Sequence, residues 1–108
     1  MKKRREIKIF EGNVNVVEDN REIRNEVIID ILRLLEDYKE NYDVIFNKNE
    51  NNMLDVIIKN YDGSIYKRLV EEKYNQLRIE RYYKGSYYPE TYHWDLVNMD
   101  RELILEQI

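Results

Sequence analysis

The sequence predicts a single α+β domain, with an N-terminal β-hairpin and one long amphipathic helix packed on an antiparallel β-meander of four to five strands. A chain of 108 residues suits one modest hydrophobic core. Apolar residues recur at helical spacing between residues 20 and 42. After residue 42 they alternate with polar residues in several short runs, which is typical of half-buried strands.

The first element is predicted to be a β-hairpin that turns near Gly12. The alternating apolar residues on the two sides of this turn are Ile7, Ile9, Val14 and Val16. Residues 1–5 are rich in Lys and Arg, and we expect them to form a flexible basic tail. Residues 1–108 are otherwise expected to form one domain, because three glycines and one proline provide no linker.

Residues 20–42 are predicted to form the helix. Asp19 and Glu22 have the spacing of a capping box with Asp as the N-cap. One face of the helix is apolar and carries Ile23, Val27, Ile31, Leu34, Tyr38 and Tyr42. Ile29 and Leu32 fall outside this face, so they fit either a deeper core or a contact between two copies of the chain.

The next segments are predicted to form the first strands of the meander. Residues 42–47 and 53–60 alternate on either side of an Asn-rich loop, which predicts a hairpin. Asp62 and Gly63 are typical of a tight hairpin turn and should lead into another strand. Residues 64–76 fit either a strand or a helix, and we favour the strand because their apolar residues fit a period of two better.

The last hairpin is predicted to pair residues 76–83 with residues 91–97 through a turn at residues 84–86. Alternation places Tyr92, Trp94 and Leu96 on the face toward the helix. Tyr87 and Tyr88 should lie in the exposed loop. Residues 98–108 fit either a short helix or a last strand.

Composition excludes several kinds of chemistry. The chain has no cysteine, which rules out disulfides, thiolate catalysis and cysteine-based metal sites. An enzyme that uses the single histidine, His93, is the least favoured function, because no positioned acid–base partner can be located for it. No phosphate-binding motif occurs. We therefore expect no catalytic residue, no metal and no cofactor.

No apolar run approaches the roughly 18 residues that a membrane span needs. We therefore expect no membrane association and a cytoplasmic location, in the protein's own cell or in a host cell.

One face of the predicted helix is acidic. Its carboxylates fall within an arc of about 80° and extend over about 27 Å. This acidic helix face consists of Glu22, Glu26, Asp30, Asp37 and Glu40, with Glu36 at its edge. The simplest interpretation is a solvated helix surface. The alternative is a docking surface for a basic, nucleic-acid-handling protein, because a carboxylate row of this length resembles a phosphate backbone.

Residues 81–94 concentrate five tyrosines with the only tryptophan, proline and histidine. The candidate partner- or ligand-binding residues in and beside this hairpin are Arg78, Arg81, Tyr82, Tyr83, Lys84, Tyr87, Tyr88 and His93. They fit a half-buried sheet, a protein interface, or a surface on which nucleotides or single-stranded nucleic acid stack. The net charge of −4 weakens the nucleic-acid interpretation.

These features favour a small acidic, non-enzymatic protein-interaction module with a larger protein as its partner. Small acidic inhibitors of host-defence nucleases, which mobile elements such as phages encode, are similar in size and charge. We therefore expect an inhibitor of a nucleic-acid-binding or host-defence protein. The alternative is binding of a nucleotide or single-stranded nucleic acid through a Tyr/Arg-rich sheet face. A homodimer remains a further expectation.

Overall fold

The structure is a computed structural model that describes residues 13–84 and 86–108, with only the backbone described for residues 13–19. The elements in chain order are α1 (Asn13–Tyr38), β1 (Asp43–Phe46), β2 (Asp55–Lys59), β3 (Ile65–Glu72), β4 (Gln76–Arg81), β5 (Glu90–Asp95) and α2 (Arg101–Glu106). The fold is therefore α+β.

The five strands form one antiparallel sheet in the order β1-β2-β3-β4-β5. Each strand pairs with its neighbour in sequence, and β3 and β4 pair in an unbroken register from Lys67 opposite Arg81 to Glu72 opposite Gln76. This arrangement confirms the predicted antiparallel meander of four to five strands, and the number of strands is five.

The core lies between α1 and one face of the sheet. The helix contributes Val27, Ile31 and Leu35, and the sheet contributes Val56, Ile58, Leu69, Leu77 and Ile79. Ile104 of α2 is also fully buried in this cluster. Both helices therefore pack on the same face, which we call the inner face of the sheet. Neither helix covers the outer face.

The N-terminal prediction is wrong where the structure can test it. The helix already includes residues 14–17, which were predicted to belong to the second strand of a hairpin. Propagating an existing helix gains one hydrogen bond for each residue added, so the alternation of two valines does not stop it. The predicted first strand, with Ile7 and Ile9, and the basic tail lie outside the described residues.

The helix also ends at Tyr38, four residues before the predicted end. The bonds Lys39 N–H to Glu36 O and Asn41 N–H to Tyr38 O tighten the chain into a turn. Tyr42 then stacks on Tyr66 of β3, with 4.7 Å between ring centroids. Its apolar ring therefore packs on the sheet and does not extend the helix.

The ambiguous segments are settled by the structure. Residues 65–72 form β3, as favoured, and the C-terminal segment contains the short helix α2. The turn at Asp62 and Gly63 is a three-residue loop, closed by Asn60 N–H to Ser64 O at 2.9 Å. Gly63 has φ of +92°, a conformation that side chains disfavour, which explains the glycine at this position.

Candidate interaction surfaces

The connection between β4 and β5 is the most exposed aromatic surface in the described residues. Tyr87 is 93% exposed, Tyr88 is 85% exposed and Tyr83 is 56% exposed. Ser86 holds the loop, donating its N–H to Tyr83 O and its hydroxyl to Tyr88 O, each at 2.9 Å. The predicted exposure of Tyr87 and Tyr88 is confirmed, and we call Tyr83, Tyr87 and Tyr88 the tyrosine loop.

Glu90 orders the base of the tyrosine loop. Its Oε2 accepts the hydroxyls of Tyr83 and Tyr92, each at 3.0 Å. The hydrogen bond to this carboxylate and its charge raise the pKa of both tyrosines, because they favour the protonated hydroxyl. No described residue bonds the hydroxyl of Tyr87 or Tyr88, so these two side chains contact mainly solvent.

The basic residues of the predicted aromatic hairpin do not form one cluster. Arg78 lies on the outer face, where Glu72 contacts it at 3.1 Å and Glu80 at 3.6 Å. His93 pairs across the strands with Arg78 and contacts the same Glu72 at 3.5 Å. Both side chains therefore contact carboxylates on the sheet itself.

Arg81 lies on the inner face, three residues from Arg78 and so on the opposite side of β4. It donates to the carbonyl of Gln107 at 3.1 Å and stands 5.9 Å from the ring of Tyr92. Tyr82 is half-buried and Lys84 is exposed in the loop. The eight candidate residues of the hairpin are thus divided between two sheet faces and the loop.

The acidic helix face is partly paired within the protein. Arg101 of α2 contacts Asp30 at 3.1 Å and Glu26 at 3.7 Å. Lys39 contacts Glu36 at 2.8 Å. These carboxylates therefore hold α2 and the end of α1 in place as well as facing solvent.

The other half of the acidic helix face is unpaired. Glu22, Asp37 and Glu40 are exposed, and none of them pairs with a cation in the part of the chain that the structure describes. Glu40 lies in the turn after α1 and not in the helix, because α1 ends at Tyr38. Glu22 and Asp37, about 22 Å apart along the helix, remain available for an external cation.

Two buried charged residues were missed by the sequence analysis. Lys67 is 5% exposed and Glu71 is 7% exposed, and both lie on the inner face of β3 beside Leu69. The signal was present in the sequence, because alternation from Leu69 places residues 67 and 71 on the buried face. Each needs internal partners, since an unpaired buried charge is costly.

The Lys67 ammonium lies under the C-terminal residues. It donates to Tyr38 Oη and Gln107 O, each at 3.4 Å, and to Ile108 O. Burial, with the nearby positive charge of Arg81, lowers the pKa of Lys67 to about 8. The Lys67 ammonium thus donates to three protein oxygens, which is the geometry of a structural lysine.

The pockets on the described surface are shallow. One of about 550 Å³ lies beside the outer face and is lined by Asn51, Met53, Glu72, Lys73, Gln76 and His93. No group of three or more His, Cys, Asp or Glu side chains within residues 13–84 and 86–108 is arranged to hold a metal ion. None of the helices in these ranges is long and apolar enough to cross a membrane.

Comparison of the chain with protein families, with curated proteins and with solved structures finds no match.

Proposed function

We propose that this chain is a non-enzymatic protein-interaction module that binds a larger protein through the tyrosine loop. The observation that carries the proposal is the exposure of Tyr87 and Tyr88, at 93% and 85% of their surface, as neighbours in one loop. Neither ring contributes to the hydrophobic core. Their apolar area becomes buried when a partner covers them.

The chemistry of tyrosine supports this use. A tyrosine ring offers a large apolar surface with few rotatable bonds, so ordering it on binding costs little entropy. Its hydroxyl can hydrogen-bond to the partner, which is one reason tyrosine is enriched at binding hot spots. Ser86 and Glu90 hold the loop from within and leave the hydroxyls of Tyr87 and Tyr88 free.

The charge of the chain supports a basic partner. The net charge is −4, and Glu22, Asp37 and Glu40 have no cation partner among the described residues. Unpaired carboxylates attract a positively charged surface and accelerate encounter with it. The partner in this proposal is a nucleic-acid-binding or host-defence protein whose basic surface this chain covers and so inhibits, as mobile-element inhibitors do.

Site-specific photocrosslinking tests the proposal. Tyr87 is replaced by a photoreactive phenylalanine in the full chain, which is expressed in native host cells and irradiated, with nuclease treatment before mass spectrometry. Tyr74 serves as the matched control, because it is 88% exposed but lies in the turn between β3 and β4. We expect one protein to crosslink at position 87 and not at 74.

Loss of that crosslink in the Tyr88→Ser background, with the fold retained by circular dichroism, would support the loop as the contact. Equal crosslinking at positions 87 and 74 would contradict the proposal. Crosslinks to nucleic acid alone, together with quenching of tyrosine fluorescence by added oligonucleotides, would instead favour the nucleic-acid alternative.

A further inference from the structure

The outer edge of β5 carries backbone hydrogen-bonding groups that no described residue uses. β5 is the last strand of the sheet and pairs with β4 on one side only. The N–H of Leu96 donates to the carbonyl of Asn75 at 2.8 Å, and hydrogen-bonded pairs alternate along an antiparallel ladder. Tyr92 therefore directs its N–H and C=O toward β4. Its neighbours Thr91 and His93 direct theirs outward.

The outward positions on either side of Thr91 and His93 offer no free N–H group. The next outward position before Thr91 is Pro89, which has no N–H. The next one after His93 is Asp95, whose N–H lies 3.3 Å from Met99 Sδ and whose carbonyl accepts the Met99 N–H at 3.1 Å. The free N–H groups are therefore those of Thr91 and His93, arranged symmetrically about residue 92.

We propose that this edge is a homodimer interface, in which β5 pairs antiparallel with β5 of a second copy about a two-fold axis at Tyr92. Thr91 of each copy then faces His93 of the other. These two pairs exchange four N–H to C=O hydrogen bonds and satisfy both free N–H groups of each copy. A two-fold interface must be self-complementary, and a free stretch that is symmetric about one residue meets this condition.

The side chains of β5 suit this register. Tyr92 is 43% exposed and meets its counterpart at the close, non-hydrogen-bonded position, where aromatic pairs are favourable. Glu90 meets Trp94 of the second copy, so no two carboxylates oppose each other. Edge strands of monomers are usually protected by a lysine, a proline or a bulge. The segment from Thr91 to Trp94 contains none of these, and its pairing with β4 is unbroken.

A single introduced cysteine tests the register. The chain has no cysteine of its own, so Tyr92→Cys can form only one disulfide, between two copies. The proposed pairing brings the two Cα atoms at position 92 to about 4.5 Å, within disulfide range. The matched control is Thr91→Cys, whose two Cα atoms would be about 8 Å apart and beyond that range. We expect the Tyr92→Cys dimer to form at least tenfold faster in a glutathione buffer.

A backbone variant tests the hydrogen bonds separately. Thr91→Pro removes only an outward N–H, so the ladder with β4 is kept, and Thr91→Val retains that N–H. Sedimentation equilibrium of the wild-type chain up to about 1 mM should show a monomer–dimer equilibrium. Its dissociation constant should be in the range that a small interface gives. Thr91→Pro should raise the dissociation constant at least tenfold, and Thr91→Val should leave it within threefold.

Amide hydrogen exchange in the unmodified chain provides a check that needs no variant. The N–H groups of Thr91 and His93 should become protected as concentration rises, whereas Tyr92 should be protected throughout. A wild-type monomer at about 1 mM with unprotected Thr91 and His93 would overturn the proposal. So would equal disulfide rates for the two cysteine variants, or a dimer whose affinity Thr91→Pro does not change. The last result would indicate another contact, such as the exposed Ile29 and Leu32.

Discussion

Lys67 is a cation enclosed on the inner face of the sheet. It is 5% exposed and lies opposite Arg81 in the β3–β4 pairing. Burial and this neighbour lower its pKa to about 8, whereas a lysine in the unfolded chain titrates near 10.4. Between these values the unfolded chain binds more protons than the folded chain, so stability rises with pH. Below pH 8 Lys67 is protonated in both the folded and the unfolded chain. The folded chain then carries the full cost of burying this charge.

We therefore expect Lys67→Met to increase the free energy of unfolding at pH 7, and we expect this gain to shrink between pH 8 and pH 10. The methionine keeps the apolar length of the lysine, and Ile108 O still accepts the hydroxyl of Tyr38. Urea unfolding at pH 7, 8, 9 and 10 measures the difference. Lys73→Met, at an exposed turn position, is the control and should show no such trend. Measurements stop at pH 10 because burial raises the pKa of Tyr38 and Tyr66. Above pH 10 these two tyrosines make stability fall as pH rises, which opposes the effect of Lys67.

Three elements meet at one ion pair between Arg24 of α1 and Glu71 of β3. Arg24 Nε donates to Glu71 Oε2 at 2.7 Å, and its NH2 group contacts Oε1. This hydrogen bond raises the pKa of Arg24 despite partial burial. Glu71 Oε1 also accepts the N–H of Leu54 at 2.9 Å. One carboxylate therefore connects the helix, the sheet and the loop before β2.

Arg24→Met should lower the free energy of unfolding by about 3 kcal/mol, because it leaves the Glu71 carboxylate buried without its cation. Adding Glu71→Gln should recover part of this loss, since the amide oxygen still accepts the N–H of Leu54 and the buried charge is gone. Urea denaturation of the two variants and the wild type measures both effects. A double variant no more stable than Arg24→Met would show that the buried charge is not the source of the loss.

Local periodicity predicted the strands but not the contacts between elements. The alternation in residues 65–72 favoured a strand, and the structure confirms it. The Arg24–Glu71 pair joins residues 47 positions apart, a separation at which local spacing has no information. The start of the helix was missed because alternating valines near its N-terminus fit a strand as well as a helix turn.

The same limit applies to the candidate surfaces. Exposure of Tyr87 and Tyr88 followed from their position in a predicted turn, and the structure confirms it. The grouping of Arg78 with Arg81 ignored the period of two, which puts residues three apart on opposite faces of a strand. The pairing of Asp30 with Arg101 depends on how α2 packs against α1. That packing is a property of the folded chain and not of any local pattern.

Across the whole molecule, the carboxylates of the acidic helix face fall into two groups with different consequences for mutation. Glu26 and Asp30 contact Arg101, so reversing their charge would also disturb the docking of α2. Glu22 and Asp37 are exposed without a described cation, so reversing their charge should leave the fold intact. Only charge reversal in the second group can therefore change partner binding without also changing stability.

We expect Glu22→Lys with Asp37→Lys to slow association with the captured partner by about tenfold at low salt, because steering toward a basic surface depends on this charge. Each replacement adds two charge units, so the net charge changes from −4 to 0. The control Glu50→Lys with Glu106→Lys makes the same change at exposed positions outside α1. Stopped-flow association rates at several salt concentrations measure the effect. If both pairs slow association equally, net charge alone attracts the partner, and the acidic helix face is not a docking surface.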